Sequence, residues 1–254
     1  MPDDKTAQPL DALAIFTHPD DAELIAAGTL LKLKAQGYRT GVLDMTRGEM
    51  GTRGTVEGRA EESRLAAEIL KLDVRENLGL PDGHIHATEE ARTRLVRFLR
   101  AHEPKILLTH HWDDPHPDHA AVSNIVRQAA RLSSMRRYDE TSNQRPDGSA
   151  MKVPVVMYSI HSRLTVPSFI IDISEHLEGK MNSIRAHSSQ FFSPVSTEPT
   201  TRISAETFLD EIETRARYYG SLIGVAAGEP YLVREALSIP DPVALLTRPM
   251  NIYS

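Results

Sequence analysis

Apolar positions fall into two recurring patterns along this 254-residue chain. One is the short unbroken run. Leu13–Thr17 is such a run, ending in a polar loop, and it reads as a buried strand. The other is helical spacing. Between Glu23 and Gln36 the apolar residues are Leu24, Ile25, Ala27, Leu30, Leu31 and Leu33, and Gly37 follows as a C-cap. The two patterns then alternate. Thr40–Met45 reads as a strand, and Arg59–Leu72 as a helix. Val74–Leu78 is a strand leading to the turn Pro81-Asp82-Gly83. Glu89–His102 is a helix, Ile106–Thr109 a strand and Asp118–Ser134 a helix. Thr46–Gly58 is too rich in glycine for a helix and reads as a long loop.

This β-α-β-α-β-α-β-α order predicts an α/β fold of Rossmann-like architecture. Its sheet is mostly parallel and carries helices on both faces. Further strands are expected at Val153–Ile160 and Phe169–Ile173, and helices at Ser174–Ala186 and Ala205–Gly220. Residues 136–151 are polar and turn-rich and read as an exposed excursion. With no repeat and no low-complexity linker, residues 1–254 read as one domain. Ligands of open α/β sheets bind at the carboxyl ends of the strands. Four loops fall there: His18–Asp21, Thr46–Gly58, Pro81–Gly83 and His110–His119.

Composition narrows the chemistry. The net charge is -6 and 25% of residues are charged, which gives no basic footprint for a nucleic acid. No apolar run approaches the roughly 20 residues that span a bilayer. The first residues lack the layout of a secretory signal, so a cytoplasmic location is expected. The chain has no cysteine, so thiolate chemistry and thiolate metal sites are excluded. Any metal must be held by His, Asp or Glu.

Two clusters supply those residues. The first is His18-Pro19-Asp20-Asp21-Ala22-Glu23. Taken alone, Asp20 or Asp21 could simply cap the next helix, with Glu23 favouring its dipole. The second cluster, His110–His119, holds four of the chain's 11 histidines. A solvated loop has no reason to concentrate imidazole, whereas a divalent metal does. His18, Asp21 and His119 then make a ligand set that leaves one position open for water, as a catalytic zinc requires. Asp20 beside it is the candidate general base. His116 is the candidate for stabilising an oxyanion and protonating a leaving amine, with Asp118 or Asp114 orienting it and raising its pKa. Arg53, among glycines in the second loop, suits a substrate carboxylate. Arg59 and Glu49 are weaker candidates there. Asp82 either serves its Pro-Asp-Gly turn or accepts sugar hydroxyls.

The motif His-Pro-Asp-Asp-Ala-Glu together with His111, Asp114, His116, Asp118 and His119 resembles the PIG-L/LmbE-like zinc N-deacetylases. The stretches Arg47–Thr55, Asn77–Gly83, Ala186–Phe191 and Tyr218–Gly224 resemble the subgroup that deacetylates N-acetylglucosaminyl-malate in bacillithiol biosynthesis. The resemblance implies Zn2+ (or Fe2+) at His18, Asp21 and His119. It also implies Asp20 as base, His116 as the electrostatic and acid group with Asp118 as its partner, and a small amino-sugar substrate. A homo-oligomer, trimer or hexamer, is implied as well. Some members place an oxyanion-binding tyrosine where His187 stands. The imidazole either takes that role or is a helix C-terminal histidine favoured by the dipole. Other N-acetylglucosamine compounds such as chito-oligosaccharides, and thiol-conjugate amides, are alternative substrates. Two further readings compete. A nucleotide-binding Rossmann protein would need Gly-x-Gly-x-x-Gly where this chain has His18–Asp21. A non-catalytic sugar-binding module would have no use for Asp20 and His116.

Overall fold

The computed structural model describes residues 8–142, 149–161 and 165–246. Its seven-stranded sheet has the order β3-β2-β1-β4-β5-β7-β6. The strands are β1 (Ala12–Phe16), β2 (Thr40–Asp44), β3 (Val74–Asn77), β4 (Ile106–Thr109), β5 (Val155–Ser159), β6 (Phe169–Asp172) and β7 (Gly228–Leu232). The first five run parallel, and β7 is antiparallel to both β5 and β6. The helices that matter for the site are α1 (Asp21–Ala35), α2 (Val56–Leu70), α3 (Glu89–His102), α4 (Pro117–Ser133), α5 (Leu177–Arg185) and α6 (Phe208–Ser221). The expected Rossmann-like α/β architecture is present, and the predicted elements match to within a few residues at their ends. Among the described residues no helix is long and apolar enough to cross a membrane.

Strand periodicity explains the two-faced core. Leu13 and Ile15 of β1 pack with Leu95, Leu99, Val122 and Val126 of α3 and α4. Ala12, Ala14 and Phe16 point the other way, into Leu24, Ile25, Ile184 and Phe208 of α1, α5 and α6. Helix starts are set by local chemistry. Thr55 accepts from the Gly58 N–H at the start of α2, and Thr88 from the Ala91 N–H at the start of α3.

The sequence reading missed β7. Gly228-Glu229-Pro230 looks like a turn, and Pro has no N–H for a ladder. The paired run of β5 ends at Ser159↔Tyr231, so no β5 residue is paired with Pro230. Glu229 supplies the rest of the account. Its buried carboxylate accepts from Gly28 N (3.0 Å), Thr29 N (2.8 Å), Thr29 Oγ1 (2.6 Å) and Lys180 Nζ (2.6 Å), joining α1, α5 and β7. The excursion after α4 is described in part. Its described part is tied to α3 through Arg97 and Asp139 (2.9 Å) and through Arg100 and the Asp139 carbonyl (2.8 Å). Residues 143–148 lie outside the described residues.

Breaking a buried ion pair by removing one partner leaves an uncompensated charge. Lys180→Met should therefore cost about 3–5 kcal/mol in urea unfolding. A loss below about 1 kcal/mol, the scale of an exposed pair, would refute this account of the β7 anchor.

Candidate metal centre

The strand order reverses between β1 and β4, and the crevice at such a reversal is where open α/β sheets bind ligands. The loops after these two strands carry both sequence clusters. The turn from β1 into α1 is tight: His18 N donates to Asp21 Oδ2 (2.8 Å) and Asp21 N to the His18 carbonyl (3.2 Å). Asp20 occupies the N-cap position of α1 yet makes no side-chain cap bond. The Asp21 carboxylate turns back toward His18 instead. Capping therefore does not account for either residue.

Asp21 Oδ2, His18 Nδ1 and His119 Nε2 form a triangle. Its edges are 3.3 Å from His18 to Asp21, 3.4 Å from His18 to His119 and 3.5 Å from His119 to Asp21. Ligands about 2.0–2.1 Å from a tetrahedral zinc stand roughly 3.3–3.4 Å apart. The donor set thus fits that ion and leaves the fourth vertex open. The same residues form one of the groups that could hold a metal among the described residues. Two overlapping groups, His110–Asp114–His119 and His18–Asp82–Asp118, share its histidines. In the first, His110 Nε2 already accepts from the Thr17 N–H (3.0 Å). In the second, both carboxylates already accept from backbone N–H groups.

The ligands are oriented from behind, as metal-binding histidines usually are. His18 Nε2 lies 2.9 Å from Asp82 Oδ1, and Asp82 Oδ2 accepts from the Met50 N–H (3.0 Å). His119 Nδ1 stands 3.2 Å from Asp114 Oδ1. Charge also favours a cation here. Burial would drive the proton from His18, but Asp21 and Asp82 outweigh it and raise the imidazole pKa to about 10. Burial opposes ionisation of Asp21, yet His119 and His110 hold its carboxyl well below the usual range. A site that attracts a proton this strongly attracts a metal ion for the same reason.

The other expected residues are placed as follows. Asp20 is buried and pairs with Arg59 (3.1 Å). Burial pushes its carboxyl up to about 6, with Arg59 pulling the other way. His116 is exposed and stacks on His119, with ring centroids 4.4 Å apart. Its Nδ1 accepts from the Asp118 backbone N–H (3.2 Å), so the neutral ring carries its proton on Nε2. The Asp118 carboxylate does not reach back to His116 as expected; it accepts from Gly83 N (2.7 Å) and Ile85 N (3.4 Å). The expected rise in the His116 pKa is reversed as well. Burial lowers it, and His119 and His18 add to the effect.

Asp82 has both oxygens occupied by His18 and Met50. Arg53 is buried, donating to Ser196 Oγ (2.6 Å) and the Phe191 carbonyl (3.4 Å). Glu49 accepts from the Asp82 N–H (2.9 Å). His187 follows α5 and is fully buried, its Nε2 3.3 Å from Glu23 Oε2. Burial disfavours its charge, but Glu23 outweighs this and raises its pKa. Glu23 is also held by Arg75 (2.5 Å), which grips Asp44 through Nε (3.1 Å) and Nη2 (3.2 Å). Sequence reasoning missed this buried chain from β2 through β3 to α1. Its only signal is an arginine in β3 and an aspartate ending β2.

Two variants test the centre. His119→Ala should abolish stoichiometric zinc binding. Asp82→Asn, which keeps the shape but weakens the grip on His18, should lower zinc affinity by about 10–100-fold in a chelator competition. Unchanged affinity in both would remove this triad as the site.

Comparison with known proteins identifies relatives of the whole chain. Residues 13–130 match the family model PIG-L, described as GlcNAc-PI de-N-acetylase. The diacetylchitobiose deacetylase of Thermococcus kodakarensis is 31% identical over 84% of this chain and 78% of its own length. A Bacillus anthracis protein named as a probable N-acetyl-α-D-glucosaminyl L-malate deacetylase 2 is 25% identical over 72% of this chain and 82% of its own. Among solved structures, the conserved protein TT1542 of Thermus thermophilus superposes with a TM-score of 0.79 at 34% identity. That match covers 91% of this chain and 98% of the other. Fold, ligand triangle and relatives converge on one conclusion: this chain belongs to the PIG-L family of N-deacetylases.

Proposed function

We propose that this protein hydrolyses the acetamide of an N-acetylglucosamine compound, releasing acetate and the free amine. The observation that carries the reading is the ligand triangle, its edges matching a tetrahedral metal, with Asp20 and His116 beside it. When bound there, zinc supplies Lewis acidity, which activates water and polarises the acetyl carbonyl.

The chain's own residues do the rest. Asp20 accepts the proton of the attacking water, and burial keeps its pKa close to neutral, where a general base works best. His116 is the exposed group of the cluster. Its Nε2–H donates to the oxygen on which negative charge develops, a role that a neutral ring can fill. Because burial and its imidazole neighbours disfavour a charged His116, the departing nitrogen takes its proton back from Asp20. Asp118 contributes through its backbone N–H, which fixes the His116 tautomer. Asp82 holds His18 in this reading, and His187 supports Glu23 from below.

Two substrate classes have support. The T. kodakarensis relative is named for a disaccharide, diacetylchitobiose. The B. anthracis relative is named for a malate conjugate. A malate carboxylate would need Arg53, and Glu198 already stands beside it. Glu198 Oε1 accepts from the Gly54 N–H (2.9 Å), and its Oε2 lies 3.6 Å from Arg53 Nε. The disaccharide needs no such displacement, so it is the substrate class we favour.

Acetate release should be measured on N,N′-diacetylchitobiose, N-acetylglucosaminyl-malate and plain N-acetylglucosamine. The disaccharide is expected to give the highest kcat/KM, and Asp20→Asn to lower kcat by about 10²–10⁴-fold with zinc retained. If the malate conjugate is preferred, and Glu198→Gln improves it alone, the substrate class is the anionic one. Tight sugar binding with no acetate released from any compound would replace the enzyme reading with that of a sugar-binding module.

A further inference from the structure

Between Asp118 and Asp139 the chain has four arginines, Arg127, Arg131, Arg136 and Arg137, and no acidic residue, although its net charge is -6. Arg127 and Arg131 stand four residues apart on α4, a spacing at which like charges destabilise a helix. The helix dipole favours a cation in the last turn, which accounts for Arg131 but not for Arg127. Arg92 joins them from α3, close to the start of that helix, where the dipole disfavours a cation. Helix stability therefore does not explain why these three charges are gathered.

All three line one groove of about 410 Å³ between α3 and α4, with Glu89, Leu132 and Tyr138. Other arginines of α3 are engaged elsewhere: Arg97 holds the Asp139 carboxylate, and Arg100 donates to the Asp139 carbonyl. The groove arginines make no ion pair among the described residues. Arg92 Nη1 donates to Gln128 Oε1 (2.9 Å), a neutral amide that orients the guanidinium without cancelling its charge. Arg92 Nε is buried with no hydrogen-bond partner, so the group is incompletely satisfied. The apolar part of the groove is held as well, since Tyr138 Oη lies 2.9 Å from Thr93 Oγ1. Glu89 makes no ion pair with these arginines among the described residues, which leaves its carboxylate to accept hydroxyl hydrogen bonds.

We propose that this groove is a second binding site, for a phosphorylated small molecule of the nucleotide class. Arg92, Arg127 and Arg131 take the phosphate groups through charge-assisted hydrogen bonds. Leu132 and the Tyr138 ring take the flat base, and Glu89 takes sugar hydroxyls. The volume is that of a site for a whole organic molecule rather than for a bare anion. None of these residues belongs to the metal centre or to the deacetylation above, so the site stands or falls separately from that reading.

The test titrates the zinc-loaded protein with ADP, adenosine and inorganic pyrophosphate by isothermal calorimetry at low salt. ADP should bind with a Kd below about 1 mM, pyrophosphate more weakly, and adenosine not measurably. The double variant Arg127→Gln/Arg131→Gln should lose at least about tenfold in ADP affinity. Both positions are exposed, so the variant keeps the fold, and its melting temperature and acetate release should match wild type. Added salt should weaken ADP binding, because exposed charges are screened. His119→Ala should bind ADP as wild type does, which separates this groove from phosphate capture at the metal centre. A crystal of the ADP complex should show the phosphates against Arg127 and Arg131. Affinity unchanged in the double variant, binding lost in His119→Ala, or ADP found elsewhere in the crystal would each overturn the proposal. So would the absence of ADP binding below about 1 mM. Pyrophosphate binding as tightly as ADP would leave a mere anion patch and overturn the nucleotide assignment.

Discussion

One carboxylate oxygen, Oδ2 of Asp21, organises the centre. It accepts from the His18 N–H at 2.8 Å, and three imidazole nitrogens stand within 3.5 Å of it. An ionised carboxylate buried at this depth is costly unless positive charge or donors surround it. The histidines therefore cannot be arranged freely. His18 must turn Nδ1 inward, which sends Nε2 out to Asp82. His119 must turn Nε2 inward, which leaves Nδ1 facing Asp114. The outer carboxylates follow from the inner one, and the ligand triangle results from satisfying a single buried charge.

The fold makes this convergence possible. His18 and Asp21 follow β1, and His119 begins α4 after β4, two strands adjacent in the sheet but far apart in the chain. The loops after β2 and β3 close the ring. Met50 N and Asp82 bond each other across them, and Gly83 N donates to Asp118. All four loops leave the same edge because the first four strands are parallel. The antiparallel pair β7 and β6 lies at the far side of the sheet. It is tied to the helix that begins at Asp21 through Glu229 and its grip on α1.

The first four strands and helices were legible because their apolar periodicity is local, and so was the candidate triad that the structure brings together. Histidine and aspartate packed into two strand-to-helix loops leave few explanations besides a metal. What stayed hidden depends on partners distant in sequence. Arg59 meets Asp20 across 39 residues, Asp82 meets His18 across 64, and His110 meets the Thr17 N–H across 93. Each of these residue types has an ordinary local reading, as a surface arginine, a turn aspartate or a loop histidine. Only the fold shows that the ordinary reading fails. The misassigned partner of His116 is instructive. Asp118 lies two residues away, yet its carboxylate turns to Gly83 and Ile85, and its backbone does the orienting.

The central claim is that three side-chain atoms of this chain share one ion. The most direct measurement is anomalous diffraction at the zinc edge from crystals of the zinc-loaded protein. The account predicts a single peak about 2.0–2.1 Å from His18 Nδ1, Asp21 Oδ2 and His119 Nε2. A peak held instead by Asp82 and Asp118, or by His110 and Asp114, would contradict it.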